Sequence, residues 1–252
     1  MILKNCTFFN ENFEKEYGDI EIENGIIKQI GILDGDGKDM AGKIIIPGFI
    51  DVHIHGCAGG DASDADKSGL EKMAKELAKN GVTSFCPTSM TLPKERLESI
   101  VEAIKEFKEE NHGGAKVMGI NLEGPFIAMS KKGAQNAEYV RGGTIEEFDD
   151  LYVKSGKLVK LITIAPEAFD SEKFIKHAKD YANVSIGHSS ANADECKKAI
   201  DCGINHATHL FNAMTPMAHR EAGIAGTVLD DERVMCEPVS YTHLTLPTNS
   251  LV

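Results

Sequence analysis

Apolar and polar positions alternate with period two over the first forty or so residues. Asp19-Ile-Glu-Ile-Glu-Asn-Gly-Ile-Ile-Lys-Gln-Ile reads as two strands meeting at Asn24-Gly25, a strong hairpin signal. Asp34-Gly35 marks a further turn, and no helical stripe interrupts the stretch, so a small sheet is predicted. Residues 44–60, IIIPGFIDVHIHGCAGG, form an apolar run broken by Pro47-Gly48 and closed by a glycine-rich loop. In a strand, side chains two apart share a face. Asp51, His53 and His55 are therefore expected on one face, with Ile50, Val52 and Ile54 packing on the other.

Beyond this run the period changes. Leu70, Met73, Ala74, Leu77 and Ala78 make a helical stripe that stops at Asn80-Gly81. Pro93 opens a second helix with the stripe Leu97, Ile100, Val101, Ile104 and Phe107, ending near Gly113-Gly114. Further helices are predicted over 144–155, 171–182 and 192–202, and strands over 82–87, 116–122, 158–165, 184–187 and 205–210. Strand–helix units after a β start imply an α/β fold with a parallel sheet covered by helices. Polar residues recurring at strand ends favour a (β/α)8 TIM-type barrel; a doubly wound sheet would gather its site at one switch point. Residues 238–252 carry neither period, so the barrel is expected to be incomplete. The predicted organisation is a small β domain at 1–46, the barrel at 47–237 and a tail of different character at 238–252.

Composition narrows the function classes. The 252 residues have ordinary globular proportions, 42% hydrophobic and 26% charged. A formal net charge of -12 argues against a general nucleic-acid surface, although a local Arg or Lys can still hold a small anion. No apolar run approaches the roughly 20 residues of a membrane span, and the N-terminus lacks a signal-peptide pattern, so a cytoplasmic location is expected. Six cysteines without a CxxC pair suit reduced thiols; Cys57 lies near the two histidines, but a small buried Cys is commoner than a ligand there.

The candidate chemistry stands at the C-terminal ends of the predicted strands. These ends carry His53 and His55, then Glu123, then His188, then His209. In a barrel such ends converge, and imidazoles with a carboxylate suit zinc or another divalent first-row ion. A divalent ion of this kind serves amide hydrolysis. His206, three residues before His209, is expected to face away on a regular strand, and His112, His177 and His243 have no supporting context. Backbone amides near Gly133-Ala134 and the guanidinium of Arg220 are candidate contacts for ligand oxygens; a surface ion pair with Glu221 is the plainer reading of Arg220.

PGFIDVHIHG resembles the first-strand signature of the amidohydrolase superfamily. NLEGPFI, KKGAQN, TIAPE, IGHSSA and HATHLFNAM with REAGIAGTVLDD are together similar to its amino-sugar-phosphate deacetylases, up to about residue 237. The resemblance implies hydrolysis of N-acetylglucosamine 6-phosphate to glucosamine 6-phosphate and acetate by a cytoplasmic homodimer. A galactosamine epimer, another amidohydrolase reaction and an inactive metal-binding chain are the alternatives. It further implies Glu123, His188 and His209 as principal ligands of a divalent metal, zinc by preference, and His53 and His55 as ligands of a second ion where two are bound. Ala134, Gln135, Asn212, Ala213 and Arg220 match sugar- and phosphate-contacting positions; Gln135 stands where some relatives carry a His. The family's acid/base, an Asp on the eighth strand, has no counterpart here. The chain is therefore expected to be truncated before that strand and impaired as an enzyme.

Overall fold

The computed structural model describes residues 1–110 and 113–238. The predictions for His112, His243 and the tail beyond Pro238 lie outside the described residues. Two compact units divide at Gly48 and Phe49, so the Pro47-Gly48 break splits the first signature between them.

In the first unit, β1 (Ile2–Phe9), β2 (Lys15–Glu23) and β3 (Ile26–Gly31) form an antiparallel meander, joined by the short β4 (Lys38–Asp39) and β5 (Ile44–Ile45), both parallel to β1. The predicted hairpin is present. Glu23 pairs with Ile26 across Asn24 (φ 52°) and Gly25 (φ 77°), the positive-φ pair that such a turn requires. Cys6, Phe8 and Ile20 form its small core. Beside it, the Asp19 carboxylate accepts from the amides of Asn5 (2.9 Å) and Leu33 (3.0 Å) and pairs with Lys4 (2.8 Å). The lysine, followed by these two amides, lowers its pKa to about 2. A depressed carboxyl contributes stability that is complete above its unfolded pKa and lost as pH falls through its folded pKa. The sheet is therefore expected to weaken from about pH 4 towards pH 2. Thermal unfolding of Asp19→Asn across that window should show a flatter pH dependence; an identical one would contradict this role.

The second unit is built of strand–helix repeats. β6 (Phe49–Ile54) leads through a small ribbon, β7 (Gly56–Cys57) with β8 (Gly60–Asp61), into α1 (Lys67–Lys79) and β9 (Val82–Ser89). Then follow α2 (Lys94–Glu109), the paired segments β10 (Lys116–Val117) and β11 (Ile120–Glu123), α3 (Ile145–Lys154), β12 (Val159–Ile164), α4 (Glu172–Ala178) and β13 (Asn183–Ile186). α5 (Ala193–Cys202), β14 (His206–Leu210), α6 (Gly223–Asp230) and β15 (Met235–Pro238) complete it. Apart from the antiparallel β7–β8 ribbon, the strands are parallel, in the order β6-β9-β11-β12-β13-β14-β15 with β10 also on β9, and curl with their helices into an incomplete TIM-type barrel.

Local signals explain the element ends. The Asp66 carboxylate caps α1 by accepting from the amides of Ser68 and Gly69, and the helix buries Leu70, Met73, Ala74 and Leu77 as its stripe predicts. Asn192 and Glu195 form a capping box on α5. Leu97, Ile104, Phe107 and Ile120 are among the fully enclosed residues of one continuous core.

Three local expectations change. The strand predicted over 116–122 breaks at Gly119, where a Cβ would stand 2.3 Å from Cγ of Lys160. The helix predicted over 171–182 is only Glu172–Ala178. Ile50 and Val52, expected to pack, are exposed, because β6 is an edge strand that pairs only with β9 among the described residues; Ile54 does pack on the core.

Candidate metal centre

Glu123 ends β11 with 2% of its surface exposed, and four imidazoles surround its carboxylate. On Oε1 lie the Nε2 atoms of His53 (3.3 Å), His188 (3.3 Å) and His209 (3.1 Å), and on Oε2 that of His55 (3.1 Å). The potential ligand atoms of His53, His55 and Glu123, and those of Glu123, His188 and His209, lie within 4.8 Å of one another in each group. The structure thus brings together all five residues predicted as ligands, contributed by four strand ends that are far apart in sequence. Two of them carry backbone strain. His188 (φ 47°) and His209 (φ 33°) occupy the left-handed region, which costs roughly 1–3 kcal/mol each and is found where a site over-determines the backbone.

The proton inventory favours a cation here. His55 Nδ1 lies 3.2 Å from the Thr88 carbonyl and His188 Nδ1 lies 2.8 Å from the Lys131 carbonyl. A carbonyl only accepts, so each Nδ1 holds a proton, and the Nε2 facing Glu123 then either carries a second proton or offers its lone pair to a cation. The Nε2 atoms of His188 and His209 are 3.0 Å apart, and those of His53 and His55 3.4 Å. Lone pairs converging on a carboxylate need protons or a metal ion between them, so the donor set fits a divalent ion. Burial opposes charge on His53, but hydrogen bonds to Glu123 and Glu237 reverse this and raise its pKa to about 10. Burial likewise pushes the Glu123 carboxyl up, and the four imidazoles, His188 and His209 foremost, hold it well below the usual range.

The centre opens into a cavity of about 770 Å³, bordered by Ala134, Gln135, Asn212 and Ala213 among the predicted substrate residues. Gln135 is 3% exposed and doubly held, donating from Nε2 to Glu123 Oε2 (2.7 Å) and accepting at Oε1 from the Thr91 amide (2.7 Å). Arg220 is not brought to the cavity; it is exposed in the turn before Glu221. Cys57 packs against the core, its thiol pushed up by burial.

Two participants escape sequence reasoning. His206, expected to face away, borders the same cavity, because a register irregularity between Ala207 and Leu210 turns β14 so that both of its histidines point inward. Its Nε2 bonds Glu237 Oε1 at 3.0 Å. Glu237 Oε2 lies 2.9 Å from His53 Nδ1 and accepts from the His209 amide at 3.2 Å. Burial pushes this carboxyl up, but the bonds from His206 and His53 bring it down to about 2. Its position at the end of the seventh strand was the available signal.

Comparisons with known proteins give the family. A sequence profile described as "Amidohydrolase family" matches residues 44–251. The chain is 33% identical over 250 residues to N-acetylglucosamine-6-phosphate deacetylase of Bacillus subtilis, covering 95% of this chain and 63% of that protein. It is 32% identical over 225 residues to N-acetylgalactosamine-6-phosphate deacetylase of an Escherichia coli strain, covering 89% and 60%. Among solved structures, a mutant N-acetyl-D-glucosamine-6-phosphate deacetylase from Mycobacterium smegmatis, in complex with N-acetyl-D-glucosamine-6-phosphate, superposes with a TM-score of 0.86 at 27% identity, covering 94% of this chain and 62% of that one. The chain therefore spans less than two thirds of the length of each of these relatives. With the family profile matched over most of its length and five ligand-type side chains gathered at the strand ends, the chain belongs to the amidohydrolase family.

Proposed function

We propose that the protein acts in metal-dependent hydrolysis of the acetamide of N-acetylglucosamine 6-phosphate, releasing acetate and glucosamine 6-phosphate. The observation that carries this reading is the convergence of Glu123, His188 and His209 with His53 and His55 beside an open cavity. Glu123, His188 and His209 would hold the principal ion and His53 and His55, sharing Glu123, a second; zinc suits this nitrogen and oxygen set. Such an ion supplies Lewis-acid polarisation of the amide carbonyl and lowers the pKa of water beside it.

The chain's own groups orient and bind. Gln135 fixes the Glu123 carboxylate through Oε2. Ala134, Asn212 and Ala213 border the space assigned to the sugar, while Arg220, exposed outside that cavity, is assigned on the resemblance alone to the phosphate, for which a guanidinium fork is suited. A cytoplasmic homodimer accompanies this reading. The galactosamine epimer is the second reading, favoured by the likeness to the Escherichia coli enzyme.

Acetate release from both epimeric substrates, measured with the purified chain, tests this. Release should require added Zn²⁺ or another divalent ion, stop with chelator and return on re-addition. Faster release from the galactosamine substrate would move the specificity. Metal uptake with no acetate release would support the metal-binding chain without turnover.

A further inference from the structure

We infer that Glu237 is a positioning residue for His53, holding its Nδ1–H so that Nε2 is presented to Glu123 and His55. This rests on the reading of the cluster as a metal centre. β15 and β6 stand at opposite edges of the curled sheet, and Glu237 reaches from one to the other across the barrel interior. Three donors fix its carboxylate: His53 Nδ1 at 2.9 Å and the His209 amide at 3.2 Å on Oε2, and His206 Nε2 at 3.0 Å on Oε1. Its side chain is only 10% exposed, so water competes little for these bonds.

The other imidazoles are oriented differently. His55 and His188 place Nδ1 on main-chain carbonyls, which no side-chain substitution removes. His209 Nδ1 is buried without a hydrogen-bond partner among the described residues. His53 is therefore the candidate ligand whose ring is set by a side-chain carboxylate. A carboxylate on the outer nitrogen fixes the tautomer, strengthens the ligand and opposes ring rotation. His206, at the other oxygen, keeps Glu237 from turning towards solvent.

Zinc affinity of the full 252-residue chain, measured by competition with a chromophoric chelator, separates the two groups. In a His209→Ala background the intact group is His53, His55 and Glu123; in a His55→Ala background it is Glu123, His188 and His209. Adding Glu237→Ala should weaken zinc about 10–100-fold in the first background and leave the second nearly unchanged. Glu237→Gln, whose Oε1 still accepts from His53 Nδ1, should recover part of the loss and guards against a folding defect of the alanine variant. Equal weakening in both backgrounds, weakening in neither, or no zinc uptake in His209→Ala would overturn the role. These readouts need no substrate. Selective weakening without acetate release would fail the deacetylase reading alone, and ion-dependent acetate release without selectivity would fail the positioning role alone.

Discussion

Glu123→Gln is expected to empty both ligand groups of zinc and to abolish acetate release. The two groups share this one carboxylate, and the exchange is nearly isosteric, so the effect is one of charge and donor direction. Gln135 is held by the Thr91 amide with its NH2 facing Glu123 Oε2. An amide at position 123 must then turn its oxygen to Gln135 and its own NH2 towards the Nε2 atoms of His53, His188 and His209. A donor replaces the charged acceptor at the centre. Since loss of an outer partner alone costs about 10–100-fold in metal affinity, loss of the shared ligand should exceed about 100-fold. Breaking the buried pairing of Glu123 with its imidazoles should also cost about 3–5 kcal/mol of stability. Elemental analysis after gel filtration and a urea titration give the two readouts. Zinc content equal to that of the unaltered chain would remove Glu123 from the centre.

Phe126→Ala should give the largest purely structural loss. Phe126 is fully buried in the loop that follows Glu123, with its ring 5.5 Å from Phe174 and 6.3 Å from Phe169 between centroids. Its carbonyl accepts from Ala165 at 2.8 Å, and two residues on, Ala128 donates to the His188 carbonyl at 2.9 Å. The ring thus anchors a loop that ties Glu123 to His188. Truncating a buried Phe costs about 3–5 kcal/mol through lost transfer energy and the remaining cavity. In a unit of this size that corresponds to a fall in Tm on the order of 10 °C. Zinc affinity should fall as well, since two ligands lose a common support. A Tm change within error would mean that the neighbouring rings close the space.

Much of the fold and of the centre was legible along the chain. The hairpin at Asn24-Gly25 and the stripe of α1 depend on neighbours within a few residues, and both stand as the periodicity predicts. The five candidate ligand residues were legible because each stands at a strand end and the barrel topology makes such ends converge. Irregularity hid the rest. The break at Gly119 depends on the close approach of Lys160, the inward turn of His206 on a register slip in β14, and the exposure of Ile50 and Val52 on β6 lying at an edge.

By itself, then, the sequence determined which residue types recur at strand ends, where helices start and stop, and the membership of a metal-dependent family. The first two follow from local periodicity and capping, which act over a few residues; the family follows from the likeness of its motifs to known ones. Only the tertiary structure decided that Gln135 restrains Glu123 and that Glu237 spans the barrel to His53, 184 positions away in sequence. Curling the sheet brings its two edges within hydrogen-bond reach, and no pattern along the chain records which side chains then meet.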